Sequence, residues 1–265
     1  MGRAVKNRRS RLGVVDRTKA VMSLPMGDKS AIVEAVRGYL ADPSPRVRSA
    51  ALEVVRDENL RELDQQVVMS LSDKNSFVRY SAVECLGTLH QEESIAASWL
   101  YPLMEDPSFL VRVATLESLD QIGDNDALPM IAKRLYDDNA LVRAYAAGAI
   151  AQLDGGKYVP EIERALEAET DDNARVGFAD ALFLMGDERQ FSELLKLLSS
   201  SDYHVRCASA NALGAANLKP AQVQSALEAV SHAARNALFR ADRLTMERVE
   251  KDLREQRKQE AGGPA

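Results

Sequence analysis

Three observations predict an all-α fold, a right-handed solenoid of about six helical hairpins ending in a long C-terminal helix. A Val-Arg pair recurs at nearly constant period, a polar turn precedes each copy, and apolar residues fall at three- and four-residue spacing on either side. The pairs are Val47-Arg48, Val78-Arg79, Val111-Arg112, Val142-Arg143 and Val205-Arg206, with Val176-Gly177 read as a degenerate copy. Their valines are separated by 31, 33, 31, 34 and 29 residues. A period in this range belongs to units that bury their apolar face only by stacking on neighbours.

Each unit reads as two helices. The first is seen in AIVEAVRGYL (31–40), LDQQVVMSLS (63–72), SIAASWLYPL (94–103), ALPMIAKRLY (127–136), VPEIERALEA (159–168) and FSELLKLLSS (191–200), most with one apolar stripe. The turns ADPSP, SDKNS, EDPS, YDDN and TDDN follow, where Asp and Asn side chains stop one helix and cap the next. The second helix carries the Val-Arg pair. Several of these end at glycine (Gly87, Gly123, Gly186, Gly214), as a left-handed cap requires.

The ends depart from this pattern. Residues 1–27 read as a basic tail and a capping helix near 12–24, residues 28–217 as the repeats, 218–260 as a C-terminal capping or coiled helix, and 261–265 as a disordered tail. In the C-terminal helix Phe239, Met246, Val249 and Leu253 form a thin apolar seam that Asp242 and Gln256 interrupt. A capping helix laid over the last repeat is the reading, with a coiled-coil dimer as the alternative.

Composition narrows the function classes. Hydrophobic residues are 46% and aromatics 5%, so Ala, Leu, Val and Ile build the interior, which suits helix-on-helix packing rather than a ring-lined cavity. No apolar run approaches a membrane span and no secretory signal is evident, so a cytoplasmic protein is expected. Net charge is −6, yet residues 1–20 carry Arg3, Lys6, Arg8, Arg9, Arg11, Arg17 and Lys19 against Asp16 alone. The acidic body repels phosphate, which argues for a solvated tail and against nucleic acid as a partner.

On a wheel of about 100° per residue with the valine at zero, the following arginine lies at the edge of the buried arc. A guanidinium there needs an acceptor. Asp42, Asp73, Asp106 and Asp137 each lie six residues before Arg48, Arg79, Arg112 and Arg143. An Asp–Arg ladder locking each turn to its own or the adjacent repeat is expected, completed by Arg206. The fifth and sixth copies are defective: Gly177 stands where Arg is due after Asp171, and Ser200 stands at the aspartate position. Asp171 is therefore expected to pair with Arg143 or Arg206.

The stretches DKNSFVRYSAVECLG and DPSFLVRVATLESLDQIG carry the turn aspartate, the Val-Arg pair and the Leu/Ile-Gly end. They resemble the HEAT repeat, and more narrowly the short bacterial HEAT-like repeats of the phycobilisome-lyase type, over about residues 28–217. The resemblance implies the solenoid fold and leaves function open among scaffolds, chromophore lyases, DNA glycosylases and an iron hydroxylase. The hydroxylase binds iron through His-Glu dipeptides, whereas His90, His204 and His232 are followed by Gln91, Val205 and Ala233, so no metal or other cofactor is expected. One tryptophan, Trp99, in an acidic chain suits a glycosylase poorly. Cys85 is expected in the core, and nothing near Cys207 in sequence would activate its thiol.

What remains is the outward face of the second helices. The second and sixth positions after the valine point away from the core, at about 200° and 240°. The sixth positions read Glu53, Glu84, Glu117, Gly148, Leu182 and Asn211, and the second read Ser49, Tyr80, Val113, Ala144, Phe178 and Cys207. The expected partner-binding face therefore comprises Glu53, Tyr80, Glu84, Val113, Glu117, Phe178, Leu182 and Asn211. Phe178 and Leu182 are read as an exposed apolar pair, and the glutamates as a site for a basic or basic-plus-apolar segment of another protein. A non-enzymatic scaffold is the functional expectation, with a subunit of a phycobilin lyase or related modifying enzyme as the alternative.

Overall fold

The computed structural model describes residues 13–24, 29–91, 94–237 and 239–261, and among them every regular element is helical. The basic residues Arg3, Lys6, Arg8, Arg9 and Arg11, and most of the closing AGGPA, lie outside the described residues. A lone helix, α1 (Val14–Met22), precedes seven hairpins. The hairpins pair α2 (Lys29–Leu40) with α3 (Pro45–Asp57), α4 (Asp64–Ser70) with α5 (Ser76–Leu89), and α6 (Ser94–Leu100) with α7 (Phe109–Ile122). They continue as α8 (Leu128–Lys133) with α9 (Ala140–Gln152), α10 (Val159–Ala168) with α11 (Asp172–Leu184), α12 (Gln190–Leu197) with α13 (Tyr203–Ala215), and α14 (Pro220–Arg235) with α15 (Arg240–Ala261). The chain folds as two compact units, one ending at Met130 and one starting at Ile131.

Within each unit the second helices form a continuous layer. In the first, α1 packs on α3, α3 on α5 and α5 on α7; in the second, α9 packs on α11, α11 on α13 and α13 on α15. The approach is close enough to exclude side chains. A Cβ at Gly87 would lie 2.5 Å from Ser118 Oγ, and one at Gly177 would lie 2.4 Å from the Ala144 Cβ. Of the four glycines expected to cap helices, Gly123 and Gly186 do adopt positive φ. Gly87 and Gly214 instead lie inside α5 and α13, where a Cβ would overlap Ser118 at Gly87 and would press on Val249, at 3.0 Å, at Gly214.

The arginines form a ladder, with a geometry the spacing only half predicts. Arg48 donates from Nε and Nη2 to both carboxylate oxygens of Asp73, each at 2.7 Å, while Nη1 donates to the Asp42 carbonyl at 2.8 Å. Arg79 does the same with Asp106 (2.7 Å twice) and the Asp73 carbonyl (2.8 Å). The residue six before each arginine therefore contributes its carbonyl, and the turn of the following repeat contributes the carboxylate. Arg112 likewise donates to the Asp106 carbonyl, at 2.9 Å. Each turn carboxylate also fixes its own turn: Asp42, Asp73, Asp106 and Asp137 accept the backbone N–H two residues on, at 2.8–3.0 Å. Two stacked repeats are thus joined by a bidentate, largely buried ion pair whose remaining lone pair is also used.

The fifth copy is not degenerate. Arg175, six residues after Glu169, occupies the arginine position and donates to the Glu169 carbonyl at 3.0 Å. Glu169 in turn takes the fork of Arg143, at 2.6 and 2.9 Å, and Asp171 caps α11 by accepting from Asn173 N, so the expected pairing of Asp171 with Arg143 or Arg206 is overturned. Where Ser200 offers no carboxylate, Arg175 reaches Glu193 on α12 at 2.6 Å. Ala174, not Val176, therefore stands at the valine position, and every assignment on α11 moves by two residues. That shift carries Phe178 and Leu182 from the outward face to the core, where both are fully buried.

The ladder also extends past the ends of the repeats as read from sequence. Arg17 on α1 forks onto Asp42 at 2.9 and 3.1 Å, so α1 acts as a lone second helix. At the other end Arg206 donates to the Ser200 carbonyl at 2.7 Å and to the carboxylate of Asp242, which is fully buried on α15. The last two helices make a seventh hairpin. Its seam of Met246, Val249 and Leu253 is fully buried in a cluster with residues of α13 and α14, which leaves it closed to a coiled-coil partner.

Two substitutions test this architecture. Arg79→Ala strands the buried Asp106 carboxylate, and chemical denaturation should show a loss of about 3–5 kcal/mol. Gly177→Ala forces α9 and α11 apart and should cost about 1–3 kcal/mol by overpacking. An unchanged denaturation midpoint in either variant contradicts the corresponding contact.

Candidate functional site

With the register corrected, the sixth position after the valine reads Glu53, Glu84 and Glu117 in the first unit, and Gly148, Asp180 and Asn211 in the second. Glu53, Glu84 and Glu117 are all half-buried. Tyr80 Oη donates to Glu84 Oε1 at 2.7 Å, and Arg56 Nη1 lies 3.8 Å from Glu84 Oε2 while its Nε is bonded to Asp57 at 3.0 Å. Arg56, Glu84, Thr88, Glu117, Ser118 and Gln121 line a groove of ≈ 330 Å³ between α5 and α7. Burial, then the charges of Glu84 and Asp120, push the Glu117 carboxyl above its ordinary value, and burial does the same to Asp120.

The second positions do not point outward. Ser49 Oγ donates to the Phe77 carbonyl at 3.2 Å and lies 3.0 Å from Ser81 Oγ, so this position on one helix meets the third position of the next. Val113 follows the same geometry and is buried, which removes it from the expected face along with Phe178 and Leu182. Ala144 against Gly177 is the same seam in the second unit. Asn211 is exposed, but its side-chain oxygen accepts from Arg248 of α15 at 2.6 Å.

Sequence reasoning missed a second row, one residue before the valine, at about 260° and so beside the glutamates on the wheel. In the first unit it reads Val15, Arg46, Phe77 and Leu110, with Val15 59%, Phe77 63% and Leu110 38% exposed. In the second unit Leu141, at the equivalent position, is 41% exposed. The periodicity that located the glutamates would have located these residues had the wheel been followed backward from the valine. Met22, Pro45, Ala50 and Phe77 contribute apolar atoms, and Arg46 and Glu53 charge, to a wider hollow of ≈ 510 Å³ across α1, α3 and the start of α5.

The cysteines offer little chemistry. Burial pushes the Cys85 thiol up to about 12, and burial also raises that of Cys207. Among the described residues no group of three or more His, Cys, Asp or Glu is placed to hold a metal ion, and no helix is long and apolar enough to cross a membrane.

Comparison with known proteins bears on the fold. The sequence pattern of the family described as HEAT repeats matches at residues 66–151, 97–182, 128–212 and 159–245. That of a HEAT repeat associated with sister chromatid cohesion matches at residues 12–55. No curated protein matches the chain. The structure of the complex of CpcE and CpcF of phycocyanin lyase from Nostoc sp. PCC7120 is similar over 87% of this chain and 96% of that one, at 17% identity and a TM-score of 0.60. The X-ray structure of YibA from E. coli is similar over 88% and 98%, at 16% identity and a TM-score of 0.50.

In the second unit Asp180 stands out, because burial lifts its carboxyl from an ordinary 3.8 to about 6. An acid raised on folding stabilises the fold below its unfolded pKa and loses that contribution as pH rises through its folded pKa. The stability gap between Asp180→Asn and the unaltered chain should therefore widen in the variant's favour between pH 4 and 6, by about 2–3 kcal/mol at most. Urea unfolding across that range reads it directly, and a pH-independent gap would contradict the burial of this charge.

Proposed function

We propose, for a chain that belongs to the HEAT-repeat family, a protein-interaction role carried by the outward face of its second helices. One observation carries the reading: a row of half-buried carboxylates, Glu53, Glu84 and Glu117, runs beside an exposed apolar row containing Phe77 and Leu110. Neither row supplies the acids shown in the ladder, Asp42, Asp73, Asp106, Glu169, Glu193 and Asp242. Exposed apolar residues bordered by charged ones are a common composition of a contact surface. A basic-plus-apolar segment of another protein has the complementary chemistry, and no covalent step is required of the scaffold.

The alternative, a subunit of a phycobilin lyase or related modifying enzyme, is supported by the likeness to the CpcE and CpcF complex of phycocyanin lyase. That likeness is one of fold and assigns no role to any residue of this chain. Transfer of bilin to an apo-phycobiliprotein in the presence of this chain would favour it over the scaffold reading.

The scaffold reading is tested by affinity capture from the native host. Glu84→Lys combined with Glu117→Lys should abolish recovery of the partner seen with the unaltered chain and leave the melting temperature unchanged. Recovery that survives this pair and also Phe77→Ser rules out the second-helix face.

A further inference from the structure

On each second helix of the first unit the two rows lie seven residues apart: Val15 with Met22, Arg46 with Glu53, Phe77 with Glu84, Leu110 with Glu117. Seven residues are about two helical turns, so the rows run side by side about 10 Å apart along the helix axes. The width of the strip matches the roughly 10–12 Å diameter of an α-helix with its side chains. Across the strip, neighbouring second helices stand about 8–10 Å apart, the usual packing distance. Their approach through Gly87 and Ser118 agrees with such tight packing.

We infer that the occupant of this strip is an amphipathic α-helix of another protein, lying along the stack. It would carry cations at i, i+7 and i+14 on one edge of an apolar stripe. The inference rests on the proposed interaction role and deepens it by naming the partner's form. A helix rises about 10.5 Å in seven residues and turns almost twice, so cations seven apart return to one face at nearly the spacing of Glu53, Glu84 and Glu117. Six residues match the distance and rotate the cation to another face. An extended strand covers the same distance in three residues, and its side chains alternate sides, so successive cations would point oppositely. Of these arrangements only the α-helix also fills the roughly 10 Å width of the strip; a polyproline II segment returns to one face every three residues at about 9.3 Å, and the gain of helical circular dichroism on binding separates the two. Its apolar stripe then falls on the exposed Val15, Phe77 and Leu110, with Arg46 between the first two.

The test uses the full chain and two labelled synthetic peptides of about 21 residues with identical composition. One places three lysines seven apart beside a leucine stripe, and the other permutes them so that the lysines face three directions. Fluorescence anisotropy should show the patterned peptide binding at least about tenfold tighter, with helical circular dichroism gained on binding. Glu84→Gln with Glu117→Gln should remove that preference and flatten the salt dependence. Phe77→Ser should weaken binding while keeping the salt dependence. Equal affinity of the two peptides, no binding of either, or a preference that survives the double glutamine variant overturns the inference. If the host partner is still lost on Glu84→Lys with Glu117→Lys while the two peptides bind alike, the helical occupant falls and the docking face stands. If capture also survives that variant, both fall.

Discussion

A single guanidinium fork, repeated, holds this molecule in register. Arg48, Arg79 and Arg143 each tie the carbonyl at the start of their own turn to an acidic side chain of the next repeat. The carboxylate so held also accepts a backbone N–H of the turn that carries it. Turn geometry, helix start and repeat-to-repeat spacing therefore follow from one set of bonds. Removing any member leaves a buried charge or a loose turn. Where the sequence withdraws a turn carboxylate, a replacement is recruited, Glu193 for Ser200 and Asp242 for the last turn. The arginine is never dispensed with.

That asymmetry explains what could be read without a structure. The all-helical class, the hairpins and the turn positions were legible, since a 31-residue period and capped turns admit few other folds. The register of α11 was not. Alignment on valine fails because the position asks only for a small apolar side chain, and Ala174 fills it as well as Val176 would. The spacing of six from turn acid to arginine is set by the reach of a guanidinium back to a fixed carbonyl, and Glu169 to Arg175 keeps it. Chemistry with a fixed length was the dependable ruler, and packing was not. The penalty for choosing valine was to place Phe178 and Leu182 outside, whereas both fill the core.

A wheel also treats a helix as if its flanks were open. Position two after the valine points away from the first helix of its own hairpin, yet the next second helix stands there, as Ser49 against Ser81 shows. Stacking in the third dimension closed that direction and buried Val113. The same stacking left the first turn of each second helix uncovered, and Phe77 and Leu110 are exposed there. Neither effect is encoded in one helix, since both depend on the neighbour in the stack.

Two groups of acids in this chain are treated oppositely by the fold. Burial would lift Asp73 and Glu169, but the forks of Arg48 and Arg143 outweigh it and hold both below their ordinary values, so their charge is consumed within the fold. Glu117, Asp120 and Asp180 are also taken partly from water, and burial pushes each of them upward. Ionising these at neutral pH opposes folding rather than assisting it. Their negative charge is accordingly the part of the electrostatics that the solenoid does not use. A cation brought from outside would do for Glu117 what Arg48 does for Asp73, reversing the sign of its shift. The proposed face would thus repeat across the surface the chemistry that the ladder applies within the chain, a carboxylate completed by a cation.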